Sequence, residues 1–263
     1  MFAYPENIHN MLVSWSTTYK ELDTTIDRLN HVGYLIPTAC HFLSHIRRLK
    51  YTSKFKRHRT IPRLALANLH LWMNFLSQAH KGISMNLITY RTPIHVYRSD
   101  ACEHGLGVYS STGKAWRWII PTHLLSRSHI NLLGFLASIV CIWLDYLDND
   151  IPPESCLLSM VDSTTSSGWL QKSNFQDEDE TDTEQTAKFL AARQLATTIM
   201  GSKSCLYSQW FPGDDNDVSD SLSRYIDLSD EKLIKSLNLN VSSQLPPNFR
   251  MVPLKSEIVS WLC

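Results

Sequence analysis

Hydrophobic residues in the first third of the chain recur at helical spacing. Leu22, Ile26 and Leu29 fall on one face of a predicted helix. Further helices are predicted over residues 39–49 and 61–80. These segments predict a helical hairpin and a longer helix, whose apolar faces must pack on another surface.

The pattern changes to alternation from Ile94 onward. Apolar and polar residues alternate as far as Asp100, and a glycine-rich turn at Gly105 and Gly107 leads into a second alternating run. A third run covers residues 114–120. This pattern predicts a three-stranded antiparallel meander with a carboxylate on its first strand.

Helical and strand-like segments then follow one another. In order, the pattern predicts a helix over 128–148, a buried strand over 156–161, a short helix over 164–172, a helix over 184–200 and a strand over 204–211. Strands connected by helices indicate an α/β fold with a mixed sheet. The last segment, residues 226–263, is expected either to pack as a short helix or to stay loose.

Composition indicates a packed globular core, since 43% of the residues are apolar and 10% are aromatic. A length of 263 residues allows one sizeable domain with an appendage, or two small domains. Lys and Arg total 25, as do Asp and Glu, so the net charge does not indicate a nucleic-acid partner. Any such partner must be recognised by local charge.

Cysteine usage and the N-terminus indicate an intracellular protein, cytoplasmic or nuclear. The six cysteines form no CxxC pair, which is typical of buried thiols in a reducing compartment. The N-terminal residues do not form the basic and apolar regions of a secretory signal. The apolar stretch from Ile130 to Leu147 is interrupted by Asn131, Ser138 and Asp145, so we expect a buried helix and no membrane partner.

A basic strip, residues 47–59, begins at the end of the second predicted helix and leads to the third. It contains no acidic residue and includes Arg47, Arg48, Lys54, Lys56, Arg57 and Arg59. Such a strip either binds a phosphate backbone, with salt-sensitive affinity, or is a solvated linker. Composition leaves both interpretations open.

Three carboxylates stand at strand ends or helix starts. Asp100 lies on the first meander strand, Asp162 ends the buried strand, and Asp220 lies beyond the turn at residues 212–213. Carboxylates of this kind suit Mg²⁺, and two ions about 4 Å apart assist phosphodiester hydrolysis. Asp214 and Asp217 compete with Asp220 for the last position.

The order of motifs resembles the ribonuclease H domain that follows the polymerase in retroelement reverse transcriptases. This chain reads SDA, GLG, INLLGFLA, VDSTT and FPGDDNDVSDSLSR, where the family commonly reads SDAS, INxLExLA, DNTTA and PGxxNxxADxLSR. The resemblance implies a ribonuclease-H-like α/β fold, with a five-stranded mixed sheet flanked by helices, over residues 85–225. Residues 1–84 resemble a helical thumb or connection segment with a basic linker, and residues 226–263 resemble a C-terminal spacer.

The resemblance also implies roles for individual residues. Asp100, Asp162 and Asp220 match the catalytic, metal-binding aspartates, and Ser163 stands where the family usually has an Asn that contacts the hybrid backbone. The implied cofactor is Mg²⁺ or Mn²⁺, and the implied substrate is an RNA/DNA hybrid. A polymerase domain, on a separate or the parent polypeptide, is the implied protein partner.

One catalytic match fails, because the position of the family's catalytic Glu is Gly134. Glu103 lies on the opposite strand face and Asp145 is about three turns further along the helix, so neither is expected to replace it. Trp210 also stands where the family frequently has His. Two functions remain open: an impaired ribonuclease-H-type endonuclease with weak or absent metal binding, or a co-opted nucleic-acid-binding or structural module without cleavage.

Overall fold

The computed structural model describes residues 4–53, 58–80, 82, 91–121, 129–172 and 182–263. The chain divides into two compact units. The first comprises residues 1–90 with residues 172–177, and the second comprises residues 91–171 with residues 178–263. The boundary at residues 90 and 91 compares with the predicted one at residues 84 and 85.

The first unit is helical. Its elements are α1 (Tyr4–Ser14), β1 (Ser16–Thr17), α2 (Tyr19–Gly33), a 3-10 helix (Pro37–Leu43), α3 (Ser44–Ser53), β2 (Arg59–Thr60) and α4 (Arg63–His80). Helix α2 begins with a capping box, in which the Thr18 hydroxyl accepts a hydrogen bond from the Glu21 backbone and the Glu21 carboxylate accepts one from the Thr18 backbone. Its apolar face, including Leu22 and Ile26, is buried as predicted. The helix predicted over residues 39–49 begins as the 3-10 helix and becomes α-helical at Ser44.

The second unit contains a mixed sheet of six strands among the described residues. Its strands are β3 (His95–Ala101), β4 (Gly105–Ser110), β5 (Lys114–Ile119), β6 (Cys156–Val161), β7 (Cys205–Trp210) and β8 (Arg250–Met251). The spatial order is β7-β6-β3-β4-β5-β8. Strands β3, β4 and β5 form the predicted antiparallel meander, and β6 and β7 continue the sheet in parallel.

Helices cover both faces of this sheet. They are α5 (Ile130–Leu147), α6 (Thr164–Lys172), α7 (Asp182–Ser202), α8 (Asp217–Arg224), α9 (Asp230–Asn240) and α10 (Ser256–Leu262). Ser99 hydrogen bonds to Ser138 of α5, while the next residue, Asp100, hydrogen bonds to Ser223 of α8. Because successive strand residues point to opposite faces, α5 and α8 lie on opposite sides of the sheet.

Helix α5 is the core helix of the second unit. By length and composition it could cross a membrane, and among the described residues it alone meets that test. However, 67% of its apolar window is buried inside the protein. It packs against β3, β4 and α7, which agrees with the expected buried helix.

The C-terminal segment belongs to the packed core. Leu233 and Leu237 of α9 are buried against Tyr109, Ala115 and the apolar face of α8. Strand β8 pairs in parallel with β5 through the register pairs Lys114–Arg250 and Ala115–Met251. The tail therefore supplies the sixth strand, which the five-stranded prediction lacked.

Candidate carboxylate site

Two of the three predicted carboxylates stand at the ends of adjacent parallel strands. Ser99 of β3 is in register with Val161 of β6, so the next residues, Asp100 and Asp162, are neighbours across the sheet. Parallel strands lie about 4.8 Å apart. Asp100 is buried at 6% exposure, and Asp162 is half-buried. Strand pairing alone therefore brings residues 62 positions apart in the sequence together at one edge.

Asp220 reaches the same edge because α8 lies directly on the backbone of β4. A Cβ atom at Gly107 would stand 2.5 Å from both the Ser219 carbonyl oxygen and the Ser223 nitrogen. A Cβ atom at Gly105 would collide with the Ser223 carbonyl oxygen. The prediction that these glycines form a turn is wrong: both belong to β4, and they are glycines because the helix leaves no room for a side chain.

Asn216 ties the start of α8 to β3. Its Nδ2 donates to the Ser99 carbonyl oxygen at 3.3 Å, and its Oδ1 accepts a short hydrogen bond from the Ser219 hydroxyl. The residue is only 1% exposed. The Asn216 side chain therefore anchors the start of α8 next to Asp100.

The environment of Asp100 reflects both neighbouring carboxylates. Burial raises the pKa of Asp100 to about 6; a hydrogen bond from the Ser223 hydroxyl at 2.5 Å opposes this, and the negative charges of Asp162 and Asp220 add to it. Ser223 is not among the predicted site residues, although its place three residues after Asp220 puts both on one helix face. Asp162 and Asp220 thus each lie within electrostatic reach of Asp100.

Asp220 is held by a cation from its own helix. The Arg224 Nε atom lies 2.5 Å from Asp220 Oδ1. Both side chains are solvent-accessible, with 60% of Arg224 and 41% of Asp220 exposed. A pair this exposed contributes little to stability.

A network of hydroxyls and amides surrounds the position of the missing Glu. Gly134 of α5 faces Ser166 of α6, and a Cβ atom at residue 134 would stand 3.0 Å from the Ser166 hydroxyl. Ser166 donates to the Asn131 carbonyl oxygen at 2.9 Å, and Ser163 donates to the Asn131 side-chain oxygen at 3.2 Å. Ser163 also accepts from the Ser166 backbone at 3.2 Å, so this predicted nucleic-acid contact is engaged at the start of α6.

Trp210 stands beside Asp162 at the end of β7. Its indole Nε1 donates to the Asp162 carbonyl oxygen at 2.8 Å, and 49% of the residue is exposed. The Trp therefore fixes the backbone that carries Asp162. Trp116, by contrast, is buried in the core.

The other acids considered from the sequence have different surroundings. Asp217 accepts from Gln244 at 2.8 Å, and Asp214 is exposed in a 3-10 helix (Gly213–Asp215). Glu103 is exposed in the turn before β4. Asp145 is buried against Lys114, with an N–O distance of 3.3 Å, and accepts from the Tyr97 hydroxyl. None of these four acids therefore takes the place of the missing Glu.

The donor set suits a hard divalent cation in its chemistry, because it consists of carboxylate oxygens. The arrangement of these side chains, however, does not form a ready metal site. Over the described residues, no three His, Cys, Asp or Glu side chains are arranged to hold a metal ion. Instead, Asp100 accepts from Ser223 and Asp220 pairs with Arg224. The residues that would hold an ion are Asp100, Asp162 and Asp220, and Asp220 would do so only after its contact with Arg224 exchanges.

The predicted basic strip lies in the first unit. Arg47 and Arg48 belong to α3 and Arg59 to β2, while Lys54, Lys56 and Arg57 lie outside the described residues. Arg47 donates to the Asn30 side chain at 2.6 Å, which connects α3 to α2. For Arg47 this gives a structural role alongside the predicted phosphate contact.

Comparisons with known proteins yield one weak structural similarity. No family model matches the chain, and no curated protein matches it. Among solved structures it is similar to the protease–reverse transcriptase of prototype foamy virus, with 14% identity and a TM-score of 0.27. The match covers 73% of this chain and 24% of the viral one, so this chain spans about a quarter of that protein.

Proposed function

We propose that the second unit is a ribonuclease-H-like domain of retroelement origin, which binds RNA/DNA hybrids at a degenerate divalent-metal site. The observation that carries this proposal is the meeting of Asp100 and Asp162 at adjacent parallel strand ends, with Asp220 brought to the same edge by α8. Carboxylates on separate strands and a helix are the oxygen ligands that Mg²⁺ or Mn²⁺ takes in phosphodiester hydrolysis. The motif order, SDA, VDSTT and VSDSLSR, supports the same assignment.

Degeneracy follows from what surrounds these aspartates. Two-metal hydrolysis needs enough ligands to divide between two ions, and Gly134 contributes none. A side chain at residue 134 would also press on the Ser166 hydroxyl, which lies 3.0 Å from the Cβ position and would have to shift. Hydrolysis is accordingly weak or absent.

The alternative function is a binding or structural module without cleavage. The contacts of Arg224 with Asp220 and of Ser223 with Asp100 favour it, because each satisfies a carboxylate without a metal ion. In either case the protein partner in this proposal is a polymerase domain, on a separate or the parent polypeptide.

The test is cleavage of a labelled RNA/DNA hybrid in Mg²⁺ or Mn²⁺. We expect trace or no cleavage by the unmodified chain and a clear gain in the Gly134→Glu, Ser166→Ala double variant, in which the new side chain has room. The matched control is Gly134→Gln with Ser166→Ala, which has nearly the same shape without the charge. Adding Asp100→Asn should abolish the gain.

Hybrid binding is measured separately, by titration without divalent ions. Robust, Asp100-dependent cleavage by the unmodified chain would contradict degeneracy. A chain that neither binds nor cleaves the hybrid would overturn the proposed function.

A further inference from the structure

The carboxylates of the site differ in how their hydrogen-bond donors are held. Ser223, which donates to Asp100, is completely buried, and its hydroxyl also contacts the Asp220 carbonyl oxygen at 2.9 Å. Arg224, which pairs with Asp220, is 60% exposed. The contact to Asp100 is therefore part of the packed core, while the contact to Asp220 lies in solvent and exchanges easily.

We infer that Arg224 is an exchangeable cation of the site. It neutralises Asp220 when no divalent ion is bound, and it moves to a phosphate of the nucleic acid when an ion takes Asp220. The inference rests on the proposed function and adds to it a named residue that couples metal binding to phosphate binding. Arginine suits this exchange, because its guanidinium binds carboxylate and phosphate with the same geometry.

The helix that carries Arg224 is fixed, so the exchange needs only a side-chain movement. At its start, Asn216 donates to the Ser99 carbonyl oxygen. Just beyond its end, Arg117 donates to the carbonyl oxygens of Tyr225 at 2.8 Å and Leu228 at 2.5 Å. With both ends tied to the sheet, Asp220 keeps its place while the exposed Arg224 side chain rotates away.

A simpler role for Arg224 is a helix-stabilising pair with Asp220 at i,i+4 spacing. The two roles predict different results. If the pair only stabilises α8, its removal weakens the binding of both Mn²⁺ and the hybrid, or of neither. If Arg224 exchanges, its removal strengthens metal binding, since a competing cation is lost. It also weakens hybrid binding when the ion is present, since a phosphate contact is then lost.

The experiment compares the full chain with Arg224→Ala in two titrations. Mn²⁺ binding is measured by calorimetry without nucleic acid, and hybrid binding is measured at several salt concentrations, once in Mn²⁺ and once in EDTA. We expect Arg224→Ala to bind Mn²⁺ about two- to fivefold more tightly. In Mn²⁺ the same variant should bind the hybrid more weakly, with a salt slope smaller by about one. In EDTA, where Arg224 stays paired with Asp220, the salt slope should not change. Lys235→Ala, which removes an exposed positive charge from α9, is the matched control and should change neither.

The possible outcomes distinguish failure of the exchange from failure of the metal site. Weaker or unchanged Mn²⁺ binding in Arg224→Ala, or an unchanged salt slope of hybrid binding in Mn²⁺, overturns the inference. Arg224→Gln, which keeps a long polar side chain, serves as a second variant if the alanine variant unfolds. If Asp100→Asn and Asp220→Asn bind Mn²⁺ like the unmodified chain, the failure is that of the metal site and hence of the proposed function. If those variants lose Mn²⁺ and Arg224→Ala gains none, only the exchange fails.

Discussion

Gly134 of α5 lies against Ser166 of α6, so closely that a Cβ atom at residue 134 would stand 3.0 Å from the Ser166 hydroxyl. That hydroxyl donates to the Asn131 carbonyl oxygen, one turn earlier in α5. The residue that departs most from the ribonuclease H motif is thus also a packing position. Loss of the acid and the fit of the two helices are connected at this contact.

The contact predicts a non-additive pair of mutations. Gly134→Ala gains about 1 kcal/mol of helix propensity but displaces a hydroxyl from a hydrogen bond worth about 1 kcal/mol, so the net change should be small. In a Ser166→Ala background, the same mutation should stabilise by about 1 kcal/mol. Urea unfolding of the four proteins of this cycle measures the coupling. Equal stabilisation in both backgrounds would show that Ser166 does not constrain residue 134.

Gly107 should tolerate no side chain. Gly107→Ala places a Cβ atom 2.5 Å from backbone atoms of α8, so we expect a loss of about 3 kcal/mol in the free energy of unfolding. Gly168→Ala is the matched control: no atom lies within 4 Å of its Cβ position, and the residue is inside α6. That variant should gain about 0.5–1 kcal/mol. Comparable unfolding midpoints for the two variants would mean that α8 does not rest on β4 as described.

The Asp100 carboxyl predicts a pH dependence of stability. Burial raises its pKa to about 6 from the usual 3.8 of an Asp side chain; the hydrogen bond from Ser223 opposes this rise, and the charges of Asp162 and Asp220 add to it. The native state therefore binds this proton more tightly than the unfolded chain, and the stability it contributes is present below about pH 4 and lost as the pH rises through about 6. Relative to the unmodified protein, Asp100→Asn should gain about 2–3 kcal/mol between pH 4 and pH 7.5. Urea unfolding at the two pH values measures this.

Ser223→Ala provides the check on that prediction. Removing the hydroxyl that donates to Asp100 should raise the pKa of Asp100 further, since the hydrogen bond favours the charged form. Carboxyl chemical shifts in an NMR titration report the pKa directly. A lower pKa in the variant would contradict the assigned role of Ser223.

The C-terminal segment should be required for stability. Leu233 of α9 is completely buried, so Leu233→Ala should cost about 3 kcal/mol. Leu239 lies in the same helix but is 75% exposed, so Leu239→Ala should change stability by less than about 0.5 kcal/mol. Thermal unfolding of the two variants distinguishes a packed tail from a loose spacer. In a loose spacer, neither variant would change the unfolding temperature.

The sequence by itself determined the local elements of the second unit. Strand β6 and helix α6 have the predicted bounds, because a buried strand and a short helix each carry their own hydrophobic period. The order of Asp100, Asp162 and Asp220 relative to these elements could be read in the same way. Hydrophobic periodicity is a local property, so it predicts single helices and strands and where they begin and end.

Only the tertiary structure decided which elements touch. Strand β8 has two residues, too few to show a period, and it exists because Met251 pairs beside Ala115. The glycines of β4 look like a turn in the sequence, and only the approach of α8 explains them. The packing role of Gly134 likewise depends on Ser166, which lies 32 residues later in the sequence. Such contacts join distant parts of the chain and depend on how surfaces fit, which no local pattern of apolar and polar residues encodes.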